Sequence, residues 1–387
     1  MPSKVVLFKG ACRYGAANRY IDGLADGLRA RGREVAILHE AEPDFPERLA
    51  RELLPGCELV AGFDGSGMLI SGPDPFIHNG IPRLSLLLEH PAHLWPQFQL
   101  AHIQWGSVDR AVRPFVERAY GGRRGLRFLP MGATWPAGGA AAERRGVIFA
   151  GAFEEPEGIM ASWRRRFTTD IAELFHVMAS HAVYTPGVST VAAVEEVFAA
   201  NDFPGGEELL RGFVPAACVE VDRVVANYRR LFLLRALDAA GIAVDLYGTG
   251  WREARFTHHR DHGAIPYDEL LPRLREAAVV LDITTHLHDG PHERLLTAMA
   301  HGAVAAGALN PWIEERFEAG RDLIGYAWDA LEQLPEAVAA VIESRARREA
   351  MADAGRDKVV AAPPEAAPVG RVTGRPGGAR NAHPCRG

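Results

Sequence analysis

The sequence predicts an α/β protein made of two doubly wound parallel-sheet units. Three observations point there. At 387 residues the chain exceeds one ordinary core. A strand, loop, helix and strand open it, the signature of a right-handed βαβ crossover. Short apolar runs alternating with helical patterns then return after residue 240.

In order, the apolar run 5–8 ends at Gly10, and the loop Gly10-Ala11-Cys12-Arg13-Tyr14-Gly15 follows. A helical pattern through Ile21, Leu24 and Leu28 closes at Gly32, and 35–38 reads as the next strand. The loop is neither G-x-G-x-x-G nor G-x-x-x-x-G-K-[ST], so a doubly wound sheet follows from it but a nucleotide at this loop does not. Further strands are expected at 68–70, 84–88 and 126–129, separated by loops rich in Gly, Pro and His. The small, flexible stretch 136–146 reads as a linker, with a new strand at 147–150. Residues 154–240 look mostly helical and carry no evident chemistry. Strands are then expected at 244–247, 278–283, 303–306 and 323–326, separated by helices at 267–276, 292–300 and 312–319. A terminal helix is expected over 328–354. The predicted domains are therefore 1–140, 141–358 with a helical insertion at about 154–240, and a disordered Ala/Pro/Gly/Arg tail at 359–387.

Composition narrows the function. Hydrophobic residues are 48% and charged residues 24%, the balance of a soluble globular chain. The charge sum of 43 − 49 = −6 gives no whole-chain nucleic-acid footprint. No apolar run reaches the ~18 residues that span a bilayer. Four widely spaced cysteines with no CxxC pair argue against a disulfide scaffold and fit a reducing, cytoplasmic setting.

Two strand ends of the second unit are equipped for chemistry. Tyr247-Gly248-Thr249-Gly250-Trp251 offers backbone amides where glycines permit close approach, or is a plain strand-to-loop turn. His286-Leu287-His288-Asp289-Gly290-Pro291-His292-Glu293-Arg294 leads into a helix that Gly302 ends. Such a helix start is an anion site. A cation in a first turn opposes the helix dipole. Arg294 should therefore have an anionic partner: Glu293, Asp289 or a ligand phosphate.

These residues carry a resemblance. The turn 247–251, the run 279–283 and Arg294-Leu295-Leu296-Thr297-Ala298-Met299-Ala300-His301-Gly302 together resemble GT-B fold glycosyltransferases of the group 1, CgeB-like spore-maturation type. That family has a strand ending in a G-x-G-W turn, a second strand, and a helix of the form R-x-x-E-A-x-A-x-G. The likeness is clearest over 235–337; in the N-terminal half it rests on Leu88-Glu89-His90-Pro91 and Phe128-Leu129-Pro130. It implies two Rossmann-like domains, the C-terminal one holding a nucleoside-diphosphate sugar and the N-terminal one the acceptor. By position, Asp289 would lie near the sugar, and Thr297 would replace the carboxylate that holds the ribose. Arg294 would sit near the diphosphate, with amides at Gly248, Thr249, Gly250 and Trp251 and the helix start at His288 and Gly290 around it. His90, beside Glu89, is the candidate base if the anomeric centre inverts, with His93 on the same loop and His78 a weaker alternative.

The reading thus expects sugar transfer without metal or cofactor. The acceptor would be a glycan, including one of the cell envelope, a lipid-linked molecule or a protein, and no nucleic acid partner is expected. The basic tail and Arg123, Arg124, Arg164, Arg165 and Arg166 either favour an anionic membrane surface or form a solvated face. Two alternatives stand beside it. The loss of the acidic residue at Thr297 would suit a non-catalytic binding module. Six histidines between 258 and 292 would suit a metal-dependent hydrolase, although HLHDGPH departs from the H-x-H-x-D-H spacing. An epimerase on the same fold would need more carboxylates in the cleft.

Overall fold

The structure is a computed structural model that describes residues 4–53, 56–68, 74–94, 103–120, 126–136, 143–185, 187–201, 206–284 and 286–361, without the side chains of 206–211. Twelve strands form two six-stranded parallel sheets. The first holds β1 (Lys4–Lys9), β2 (Glu34–His39), β3 (Cys57–Phe63), β4 (Arg83–Leu87), β5 (Ile103–Ser107) and β6 (Leu126–Phe128) in the order 2-1-3-4-5-6. The second holds β7 (Arg145–Ala150), β8 (Val244–Tyr247), β9 (Arg260–Asp261), β10 (Ala277–Asp282), β11 (Val304–Ala308) and β12 (Ile324–Tyr326) in the order 12-11-10-7-8-9. All pairings are parallel.

Each order reverses once, between β1 and β3 in the first sheet and between β7 and β10 in the second. Open α/β sheets leave a crevice beyond the carboxyl ends at that switch point, because neighbouring crossovers leave on opposite faces. The loops after β1, β3, β7 and β10 are therefore where a ligand is expected.

β10 is the most completely buried strand, all six residues of AAVVLD lying in the interior. A strand covered on both faces needs such a continuous apolar run. Asp282 at its end is the exception, and it is spent on the site described below.

Several elements differ from expectation. The apolar run at 68–70 is not a described strand: Met68 lies in a turn and 69–70 fall outside the described residues. The strand there is β3, whose CELVAGF pattern mixes polar and apolar residues, and β5 likewise falls outside the expected strands. The expected helix at 312–319 is only Pro311–Glu314. The terminal helix is two, Leu334–Glu343 and Arg345–Ala361, broken where Ser344 turns extended. Residues 359–361 belong to that last helix rather than to a tail, and 362–387 lie outside the described residues, as do 137–142 of the expected linker.

The helices between β7 and β8 (Pro156–Arg166, Thr169–Tyr184, Thr190–Ala200 and Gly206–Ala239) do not simply decorate the second sheet. Trp163, Phe175, Val194 and Val221 share one apolar core with Phe8, Trp105 and Phe115 of the first sheet's layer. The long helix continues into the other core through Leu231, Leu234 and Leu237. It thus spans the two lobes, and Arg230 lies at the change-over between its two apolar segments.

Candidate active site

A cavity of about 280 Å³ opens where the two switch points face each other. Ala150, Gly151 and Ala152 reach it after β7, Tyr247 and Gly248 after β8, and Glu293 and Arg294 from the helix Glu293–Ala300. From the other lobe come Arg13 and Tyr14 of the loop after β1. Ile265, Leu270 and Leu274 supply an apolar wall.

The glycines of the Tyr247–Trp251 turn make this geometry possible. Gly248 has φ +148, and a Cβ there would overlap the Gly151 carbonyl. The two loops are stitched by Gly151 N–H donating to the Tyr247 carbonyl and Phe153 N–H donating to that of Thr249, both at 2.8 Å. Trp251 anchors them from below: it is 2% exposed, stacks on Phe153 and donates from Nε1 to the Gly151 carbonyl at 2.8 Å.

Arg294 finds its anion in a residue the sequence did not single out. Asp282 Oδ1 lies 3.0 Å from Arg294 Nη1 and 2.8 Å from His292 Nδ1. Burial alone would raise the Asp282 carboxyl, but His292 and Arg294 hold it below the usual carboxylate range. The Asp282 carboxylate in turn holds the Arg294 guanidinium over the Phe149 ring, 5.4 Å from its centroid, at the cavity edge.

Arg230 was missed altogether, because nothing in a helical, apolar stretch marks one arginine from another. It is half-buried, lines the cavity with its Nε out of solvent, and donates from Nη1 to the Ala152 carbonyl at 2.8 Å. Burial lowers its guanidinium to about 10, still charged at neutral pH. Among the described residues no carboxylate lies within ion-pairing distance, and its Nε has no hydrogen-bond partner. Partial desolvation of a cation with no carboxylate beside it costs free energy that an anionic ligand offsets.

The comparisons with known proteins agree with this architecture. A family model described as glycosyl transferase-like matches residues 229–363, about a third of the chain. No curated protein sequence matches. An alpha-glucosyltransferase solved in complex with UDP and a 13-mer DNA containing a HMU base is 9% identical, over 93% of this chain and 95% of that one, with a TM-score of 0.50. The fold is GT-B. Two further solved structures are similar. AviGT4, a glycosyltransferase involved in avilamycin A biosynthesis, is 16% identical over 93% of this chain and 97% of its own, with a TM-score of 0.47. Anabaena Alr3699/HepE in complex with UDP and glucose is 12% identical over 92% and 94%, with a TM-score of 0.46.

Within this GT-B frame the anticipated site residues separate into four groups. Gly248 and Arg294 line the cavity. Thr249, Gly250 and Trp251 do not; they build the turn beneath it. His288, Asp289 and Gly290 form a seam between the lobes. Asp109 accepts from the His288 and Asp289 amides at 2.9 Å each, and Arg110 lies 2.6 Å from Asp289 Oδ1 and 2.9 Å from Glu315 Oε1. A Cβ on Gly290 would overlap the Val108 carbonyl. Asp289 is thus committed to Arg110. Thr297 is fully buried and accepts the Thr134 amide at 3.1 Å, so its hydroxyl is engaged away from the cavity. One turn earlier, Glu293 supplies the carboxylate that the cavity wall does have.

The first loop, which carries neither nucleotide fingerprint, brings Arg13 and Tyr14 onto the cavity wall. His90 lies elsewhere, in a pocket of about 10 Å³ with His93, His286, His288, Thr190 and Asp222. Burial pushes its imidazole well below the ordinary range, and Nδ1 accepts the Ala92 amide. Glu89 is exposed and lines neither space; His78 ends the short helix Pro75–His78, remote in sequence from every lining residue.

Of the histidine-rich runs, His286 and His288 stay together in the pocket of His90, and the others disperse. His258 and His259 face Asp238, His262 pairs with Asp245, and His292 pairs with Asp282. Among the described residues no group of three or more His, Cys, Asp or Glu is arranged to hold a metal. No described helix is long and apolar enough to cross a membrane.

Asp64, just after β3 at the first switch point, has φ +49 and accepts the Leu88 amide at 3.0 Å. Burial, helped by Glu89, pushes its carboxyl up to about 7 against that hydrogen bond. The folded state therefore holds this proton more tightly than the unfolded chain. The resulting stabilisation is full below pH ~4 and lost as pH rises through about 7, by at most about 4 kcal/mol. Asp64→Asn should consequently melt higher than wild type at pH 8 and nearly the same at pH 4; equal melting at both would remove the account.

Proposed function

We propose that the protein transfers a sugar from a nucleoside-diphosphate donor to a hydroxyl acceptor held by the opposite lobe. The observation that carries this reading is Arg230, a half-buried guanidinium whose Nε is out of solvent and unpartnered and which has no carboxylate beside it, next to Arg294 and the loop at Gly151 and Ala152. Cleavage of the bond between sugar and diphosphate leaves its electron pair on the departing phosphate. Guanidiniums already in place stabilise that charge with little reorganisation. Glu293 can only accept hydrogen bonds when ionised, which suits sugar or ribose hydroxyls, and Ile265, Leu270 and Leu274 suit a base.

In this reading the guanidiniums supply the counter-charge, so turnover should persist in EDTA. The acceptor is a glycan, a lipid-linked molecule or a protein, and the enzyme belongs with the hexosyl- and related transferases of EC 2.4. Thermal-shift titration with UDP, GDP, ADP and their sugars tests it. A ligand at 100 times its dissociation constant adds about 2.7 kcal/mol of stability, a rise of a few degrees. Stabilisation by one base, unchanged by chelator, supports the reading. Silence with every nucleotide would overturn it.

A further inference from the structure

Four histidines meet where the two lobes and the helices between them converge. His90 and His93 come from the first lobe, just before and within the turn Pro91–Leu94 that follows β4. His286 and His288 come from the second lobe, on the loop after β10. The helix Thr190–Ala200 adds Thr190, and the long helix Gly206–Ala239 adds Cys218 and Asp222. The space they enclose is about 10 Å³, room for about one water molecule. It adjoins the seam between the lobes, because His288 is one of the residues whose amide donates to Asp109.

The charges around these rings are uneven. The groups acting on His90 are the imidazoles of His93, His286 and His288, and each opposes a proton there. Its ring packs on Phe115, with centroids 4.9 Å apart, and Tyr120 of the same helix donates to the Pro91 carbonyl at 2.8 Å. His288 faces Arg229 and His286, which oppose its charge, and Asp109 and Asp222, which favour it. Both carboxylates are engaged elsewhere. Asp109 accepts three backbone amides, while Asp222 accepts the Thr190 hydroxyl at 3.1 Å and lies 3.7 Å from His93. Burial, with Asp222 and Glu195 nearby, pushes the Cys218 thiol well up, so it stays neutral.

A proton added to the closed arrangement therefore meets like charge in a space too small to hydrate it. Burial and the neighbouring imidazoles hold His90 well below the ordinary imidazole range, and burial outweighs the two carboxylates at His288. Parting the lobes gives both rings to water, where imidazole takes a proton near pH ~6.5. The open form thus binds protons more tightly. Closure is undiminished above pH ~6.5 and weakens as pH falls below it, by up to about 30-fold per ring between pH ~6.5 and ~5.

We propose that the four histidines form a pH-sensitive latch: neutral, they let the lobes close on each other; protonated, they drive the lobes apart and open the cavity. The latch goes beyond the proposed function and stands or falls without it.

Small-angle X-ray scattering at pH 8 and pH 5, with far-UV circular dichroism on the same samples, tests it. Wild type should keep its helical signal and expand at pH 5, its radius of gyration rising by several per cent. The double variant His90→Asn, His288→Gln should stay as compact at pH 5 as at pH 8. The asparagine side chain keeps an oxygen for the Ala92 amide that the His90 ring accepts. His90→Asn alone, the milder change, should expand at a lower pH than wild type. His262→Asn, outside the pocket and paired with Asp245, should follow wild type. Expansion of wild type and His90→Asn at the same pH, or no expansion of wild type, would overturn the latch. Loss of helical signal together with the expansion would also overturn it, since that is unfolding and not opening.

Discussion

Arg230→Met is expected to abolish nucleotide binding while leaving the apo protein folded. The substitution keeps an unbranched side chain in a half-buried position and removes a charge that no described carboxylate neutralises. Within the protein it breaks one hydrogen bond, that to the Ala152 carbonyl, worth about 1 kcal/mol. Relief from desolvating a cation acts in the opposite direction. Apo stability should therefore change by no more than about 1–2 kcal/mol. Binding should respond far more. Truncating one partner of a buried, hydrogen-bonded charge pair costs about 2–5 kcal/mol, or roughly 30- to 5,000-fold in affinity. Arg223→Met is the control, because Arg223 lies two turns earlier on the same helix and pairs with Glu154 at the surface. It should bind nucleotide like wild type. An Arg230→Met protein that binds as tightly as wild type would end the assignment. One that fails to fold would make Arg230 a structural cation.

How much of this was legible before the fold was known depends on which force wrote each signal. Two parallel α/β units followed from periodicity, since strands such as β10 must be apolar on both faces. β3 and β5 escaped because CELVAGF and IQWGS carry polar or small residues that only their neighbours in the sheet explain. Arg294 and the glycine turn were visible as local chemistry, and the cavity does use Arg294 and Gly248. His288, Asp289 and Gly290 looked like ligand groups for the same local reason, yet the hydrogen bonds of the first two reach 179 and 180 positions away into the other lobe. Arg230 and Tyr14 illustrate the reverse case. Each is ordinary in its own segment, and each acquires meaning only from what the tertiary fold places, or leaves out, around its polar atoms.

The seam those residues form leads to the largest expected loss of stability. Asp109 is 2% exposed, and its two carboxylate oxygens accept three backbone N–H groups: Ala111 at 2.8 Å in its own turn, and His288 and Asp289 at 2.9 Å in the opposite lobe. Asp109→Ala leaves all three donors without that acceptor at once. At about 1 kcal/mol each, denaturant melts should show a loss of about 3 kcal/mol, and more where water cannot replace the carboxylate. Asp109→Asn should fall between, because the His288 amide would then face a donor instead of an acceptor. Arg110→Ala should cost less, although Arg110 makes two ion pairs across the same seam. Its side chain is 32% exposed, so water and salt screen what the pairs contribute, and about 1 kcal/mol is expected. The ordering Asp109→Ala, then Asp109→Asn, then Arg110→Ala follows from burial rather than from counting ion pairs. Reversal of the two ends of that series would mean that charge, and not amide satisfaction, holds the lobes together. The distinction bears on the cavity, because Arg13 and Tyr14 line it beside Arg294 only while the lobes keep this approach.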